Sequence, residues 1–350
     1  MKKDSRPCNG HVSQADVARA CGVSRSTVSA VLLGEKSTGV VSVATRRIVM
    51  DAVLRMGYRG HSAAQALRSG RTQAVALAIP YPEIIQGVIP GQILQGIIER
   101  TQQIGYAVHI CTYSEEGDML GSLLQAVQES RVDGVFFYAD QRLAKDPREA
   151  MLSEWGMPFV ALHKHSTKSC SIDFNHLDGA RQAVTHLIRQ GRRRIAFVGD
   201  HPSVAYARQR KAGYEKALHD AGIPVDKGLI VPATDDFSGS GHMAVEHLLR
   251  AGQVFDALFC IADVMALTAI QALVAQGRRV PENIAVVGYD DSPLAAWATP
   301  PLTSVRQDGV EMGRQAVDML LRRISNPHAS AESRVLPVQL VSRASSGAGK

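Results

Sequence analysis

Apolar positions along the chain change their period near residue 72. Before it they recur every three or four residues, as on helices. Between Gln14 and Ala20, Val17 and Ala18 line up with Cys21, Ser13 stands where a cap belongs, and Gly22 suits the left-handed turn that ends the segment. Ser24 caps a second expected helix running to about Leu32, with Val28, Val31 and Leu32 inward. A third is expected from about Ala44 to Met56, with Ile48, Val49, Ala52, Val53 and Met56 at helical spacing and Gly57 as its stop. Two short helices across a glycine turn, supported by a third, describe a helix-turn-helix.

After Thr72 the pattern becomes short apolar runs separated by amphipathic stretches. Strands are expected at Ala74–Ile79, Ala107–Cys111, Gly134–Phe137, Phe159–Leu162, Arg194–Gly199, Ala257–Cys260 and Ile284–Gly288. The helices between them include Gly91–Ile104, His176–Gln190, Ala205–Ala221, Asp263–Gln276 and Gly309–Ile324. Such alternation predicts parallel sheets with helices on both faces, and the length suffices for two doubly wound lobes. Ligands of such folds sit at the carboxyl ends of the strands.

Charge sharpens the division. Residues 1–71 carry twelve Lys/Arg against four Asp/Glu, a net +8, whereas the other 279 residues carry −2 of the chain's +6. A compact basic segment on a near-neutral body is the footprint of a polyanion binder, although a solvated basic face has the same charge. At 45% hydrophobic and 21% charged residues the chain reads as globular. Its apolar runs are far shorter than the ~20 residues a membrane helix needs. A polar, basic start without a following apolar stretch, and five scattered cysteines without a C-x-x-C pair, suit a reducing cytoplasm without disulfides or structural zinc.

The run from Val12 to Leu32, continued by Val41 to Arg47 and Met56 to Tyr58, closely resembles the headpiece of the lactose/galactose-repressor family of bacterial transcription regulators. The second helix would present Arg25, Ser26, Ser29 and Ala30 outward, while Ser24, Thr27 and Ser29 offer hydroxyls to phosphates. By resemblance Arg25, Ser26 and Ala30 occupy the base-reading positions. Ala30 stands where the family commonly has arginine, and an alanine touches a thymine methyl but makes no bidentate contact to guanine. Residues 61–71 read as a tether from composition. By resemblance they are a hinge helix that orders on operator DNA beside its copy in a homodimer, with Leu67 as the wedge at a minor-groove step. Gly60 and His61 replace the family's Pro-Asn there.

Several polar or aromatic residues follow the expected strands: Tyr81, His163, Asp200, Asp263 and Asp290, with Arg208 and Phe237 nearby. They would make a cage for a small polar molecule, although Asp200 and Asp263 also suit helix starts. The segments Arg192–Gly199, Ala207–Tyr214, Val286–Asp291 and Thr299–Gln307 resemble the family's effector domain, which shares its fold with periplasmic sugar-binding proteins. The resemblance implies that Arg208 and Asp290 hydrogen-bond the effector and Phe237 stacks on it, with Tyr81, His163 and Asp263 completing the site. Ala262 replaces an asparagine usual before Asp263.

The expected organisation is therefore a headpiece over residues 1–60, a hinge over 61–71, a two-lobed effector and dimerisation domain over 72–342, and a polar tail over 343–350. Its expected partners are double-stranded operator DNA, a small effector (a sugar, with nucleosides or purines as alternatives) and a second copy of the chain. No cofactor, metal or membrane is implied. His163 and His165 lack a third ligand nearby in sequence, and neither a Walker loop, an H-E-x-x-H nor a nucleophile elbow is found. The rival readings are a solute-binding receptor without a DNA-binding role and an α/β enzyme. The basic headpiece and the empty search for catalytic motifs weigh against them.

Overall fold

The computed structural model describes residues 12–33, 41–58, 71–79, 82–113, 118–143, 145–233 and 237–347. Contacts divide the chain into two compact units, Met1–Thr72 and Gln73–Lys350.

In the first unit α1 (Gln14–Cys21) begins with a capping box: Ser13 Oγ accepts from the Asp16 N–H, and Asp16 Oδ2 accepts from the Ser13 N–H at 3.0 Å. Gly22, at φ +66°, closes it with backbone bonds to Arg19 and Ala18. Ser24 Oγ accepts from the Thr27 N–H at 3.0 Å and starts α2 (Arg25–Leu33). Ser42 caps α3 (Val43–Met56), one residue earlier than expected. Val17, Ala18, Val28, Val31, Val49 and Ala52 form the small core. Leu32 and Ile48, expected inward, are instead exposed. Each follows or precedes a buried valine by one residue, a rotation of about 100° that carries it off the buried stripe.

The second unit has two six-stranded sheets. The chain first makes β1 (Ala74–Ile79), α4 (Val88–Ile104), β2 (Ala107–Thr112), α5 (Met119–Ser130), β3 (Gly134–Tyr138), α6 (Pro147–Glu154), β4 (Phe159–Leu162) and β5 (Ser171–Phe174). It then crosses into α7 (His176–Arg189), β6 (Ile195–Asp200), α8 (Ala205–Asp220), β7 (Ile230–Pro232), α9 (Phe237–Arg250), β8 (Ala257–Cys260), α10 (Asp263–Ala275), β9 (Ala285–Asp290), α11 (Pro293–Trp297) and β10 (Thr303–Arg306). Finally α12 (Gly309–Ser325) and β11 (Ser333–Leu336) return to the first lobe, and β12 (Gln339–Val341) to the second. The sheet orders are β11-β5-β4-β3-β1-β2 and β12-β10-β9-β8-β6-β7. All pairs are parallel except β10 with β12. This is the expected α/β architecture of two doubly wound lobes.

Three crossings therefore join the lobes, at residue 175, at 307–308 and at 337–338. Glycines seat the returning helix: a Cβ on Gly96 would run into the Val310 carbonyl, and one on Gly313 into that of Ile93. Residues 343–347, expected in a polar tail, are part of the second lobe. Ser345 Oγ donates to the Val286 carbonyl at 2.6 Å and accepts from the Thr303 N–H at 2.9 Å, which buries Ser345 and Ser346. Among the described residues no helix is long and apolar enough to cross a membrane.

Candidate functional site

The start of α2 concentrates donors. Ser24, Arg25 and Ser26 are exposed, Thr27, Ser29 and Ala30 partly covered. Ser24 Oγ lies 2.6 Å from Ser26 Oγ and 2.8 Å from Thr27 Oγ1, so three hydroxyls cluster at the N-terminal end of the helix. With Val28 and Val31 locking the other face into the core, the helix presents a small, polar, cationic side with room for close approach. Leu67 lies outside the described residues.

In the second unit a cavity of about 610 Å³ opens between the lobes at the carboxyl ends of both sheets. Tyr138, His163, Arg148 and the turn from Asp140 to Arg142 form the polar part of its first-lobe wall, with Ile84, Ile89 and Pro90 as the apolar part. His176, Tyr206, Arg210, Ala262, Asp290 and the crossing residue Gln307 form much of the rest.

His163 follows β4 with φ +56°, a strained value for a residue with a Cβ. Its ring stacks on Tyr138 at 6.0 Å between centroids, and its carbonyl accepts from Gln141 Nε2. Burial lowers its pKa to about 4, so it is neutral at pH 7. Asp290 ends β9 with φ +110° and accepts from Gln307 Nε2 at 2.8 Å. Burial pushes its carboxyl up, to about 7, against the pull of the nearby Arg210. Gln307 Oε1 and Arg210 Nε are buried without a hydrogen-bond partner among the described residues.

Three expected site residues stand elsewhere. Asp200, at the end of β6, is off the cavity wall and accepts from Lys211 Nζ at 2.7 Å. Arg208 is exposed and donates to the Pro202 carbonyl at 2.9 Å, away from the cavity wall. Two positions on, Arg210 is buried and lines the cavity. A helix turns about 200° over that step, so the two point oppositely. The signal for Arg210 was present in the sequence, because it falls on the stripe Ala207, Arg210, Gly213, Tyr214 and Ala217 that α8 buries. Asp263 is buried behind the wall, where its carboxylate accepts from the Ser292 N–H at 2.6 Å and from Ser304 Oγ at 2.5 Å. Both oxygens are thus committed to holding α10 against β10, and Ala262 faces the cavity instead. Tyr81 lies outside the described residues, as does the side chain of Phe237 at the start of α9. His176, Tyr206 and Gln307 were not singled out from the sequence.

Two family models match the chain. Residues 14–60 match "Bacterial regulatory proteins, lacI family" and residues 184–346 match "Periplasmic binding protein-like domain". The HTH-type transcriptional regulator CelR of Thermobifida fusca is 35% identical over 338 residues, covering 94% of this chain and 96% of that protein. The HTH-type transcriptional repressor PurR of Haemophilus influenzae (strain PittEE) is 29% identical, with 89% and 90% covered. Among solved structures, a CelR–cellobiose complex superposes with a TM-score of 0.71 at 32% identity, covering 95% of this chain and 99% of that one. A lac repressor dimer bound to operator and the anti-inducer ONPF gives 0.80 at 31%, with 96% and 99% covered. These relatives are transcriptional regulators, not enzymes.

Proposed function

The chain belongs to the lacI family of bacterial regulatory proteins and is a transcriptional regulator, and we propose that it is a repressor released or engaged by a small sugar held between the two lobes. The observation that carries this reading is the interlobe cavity. Its volume falls within the roughly 300–1,000 Å³ usual for small-molecule sites, and its wall carries the polar side chains of His163, Arg210, Asp290 and Gln307. The hydroxyls of a sugar both donate and accept, so they suit a wall of mixed donors and acceptors. The CelR relative was solved with cellobiose, which makes that disaccharide the first probe.

In this reading Arg25, Ser26 and Ala30 face base edges, while Ser24, Thr27 and Ser29 face phosphates. Residues 61–71 form the hinge, with Leu67 as its wedge. The working unit is a homodimer on a pseudo-palindromic operator, so protein and DNA symmetry match. The exposed Leu294 and Trp297 of α11 supply apolar surface for pairing. Binding between the lobes changes the angle between them, and with it the spacing of the paired hinges. Sugar and operator then affect each other's affinity by the same factor, typically about 5–150-fold.

The test is a thermal-shift screen of sugars, nucleosides and purines, followed by operator titrations with and without each hit. A sugar that raises the melting temperature and changes operator affinity supports the reading. A purine as sole hit overturns the sugar assignment, and hits without any change in operator affinity overturn the coupling.

A further inference from the structure

In the cavity wall His176 stands between Arg210, which also lines the cavity, and Asp173, which lies behind it. His176 Nε2 is 3.2 Å from Asp173 Oδ1, and its Nδ1 is 3.2 Å from Arg210 Nη2. All three side chains are buried, at 3%, 2% and 4% exposure for Asp173, His176 and Arg210. A guanidinium has donors only, so His176 Nδ1 must offer it a lone pair. The one proton of the neutral ring therefore sits on Nε2, where the Asp173 carboxylate accepts it. Arg210 in turn donates through Nη1 to the Ile261 carbonyl and lies 3.6 Å from the ring centroid of Tyr289.

We propose that Asp173 is a positioning residue for the effector cleft: by fixing the tautomer of His176 it holds Arg210 in one pose before a sugar arrives. The proposal rests on the reading of Arg210 as an effector contact. A free arginine side chain loses much rotamer freedom when it is captured, so one already held loses less on binding. Asp173 does this from behind the wall, as a carboxylate does that orients a working histidine without meeting the ligand.

The same cluster has a competing reading as a metal site. Ligand atoms of His163, Asp173 and His176 lie within 4.8 Å of one another, because parallel pairing sets the end of β4 beside β5. Coordination through His176 Nε2 would move the ring proton to Nδ1, against the donors of Arg210, and would set a dication beside a guanidinium. Arg210 therefore selects the proton over the metal.

The experiment uses the full chain without sugar, with ¹⁵N-labelled histidine and arginine. Wild type is expected to show His176 protonated on Nε2 only and to give separate Nη resonances for a rotationally held Arg210. Asp173→Leu and His176→Phe should merge those Nη resonances. Asp173→Asn keeps an acceptor oxygen and should preserve them, as should His176→Gln, whose amide presents a donor on one side and an acceptor on the other. Should the leucine variant fail to fold, the His176 pair makes the same comparison. An Nδ1-protonated ring in wild type, or an Arg210 signal indifferent to Asp173→Leu and His176→Phe, overturns the proposal. So does stoichiometric Zn²⁺ binding that His176→Phe removes. The underlying reading fails separately: if cellobiose shifts the melting temperature of Arg210→Gln as it does wild type, Arg210 is not a contact for that sugar, whatever the resonances show.

Discussion

The backbone N–H of Ala205, the first residue of α8 in the second lobe, donates to the carbonyl of Gln141 in the first, at 2.9 Å across the cleft. The Gln141 side chain meanwhile reaches the His163 carbonyl. One residue thus braces the first-lobe wall and latches it to the second.

Ala205→Pro removes that single donor. Proline is tolerated at the first position of a helix, and Val204 before it is already extended at φ −96°, ψ 122°. One neutral hydrogen bond is worth about 0.5–1.5 kcal/mol. Calorimetry with a sugar hit should show affinity lowered by roughly 2–12-fold, with operator binding in its absence retained. Unchanged sugar affinity would mean that the latch adds nothing to closure.

Arg210→Gln and Arg208→Ala form a matched pair. A hydrogen bond to a charged group contributes about 1.5–3 kcal/mol, so the first should weaken sugar binding by roughly 10–150-fold. The second loses only the exposed contact to Pro202 and should bind sugar like wild type. Equal losses in both would place the cleft arginine wrongly.

Arg25→Ala tests the reading helix. A base contact is worth about 1–3 kcal/mol and adds nothing to the salt slope, whereas a lost phosphate contact lowers the slope by about 1. Anisotropy titrations across a salt series should therefore show weaker operator binding at an unchanged slope, with non-specific DNA little affected.

Asp290→Asn separates function from stability. The folded carboxyl has a raised pKa of about 7, above the ~4 of an unfolded aspartate. The folded state thus gains from the proton below pH 4 and loses that gain as pH rises through 7. Removing the charge should raise the melting temperature at pH 8, on the order of a few degrees, with little change at pH 4. Sugar affinity should fall. An equal shift at both pH values would show that the buried charge is not the cause.

Much of the fold was legible because the central strands are buried on both faces and read as unbroken apolar runs, as in β1, β3 and β4. The strands left unread are short and carry polar residues whose partners come from distant chain. Thr303 of β10 bonds Arg343 and Ser346, and Ser171 of β5 meets Ser333 of β11. Serine and threonine read as loop until those partners are known. In the cleft, strand ends located His163 and Asp290, because the fold itself puts ligands there. Arg208 was preferred to Arg210 although the buried stripe of α8 favours the latter. His176 and Asp173 became neighbours of His163 only through the pairing of β4 with β5.

The three crossings have a consequence for synthesis on the ribosome. Helix α12 and edge strand β11 belong to the first lobe yet are translated after almost all of the second. Until Leu336 has emerged, the nascent first lobe keeps one side of β5 unpaired and the α4 surface that α12 later covers bare. Neither half of the receptor is a unit of inheritance that a gene fragment could carry alone, and the cleft comes into being only when translation is nearly over.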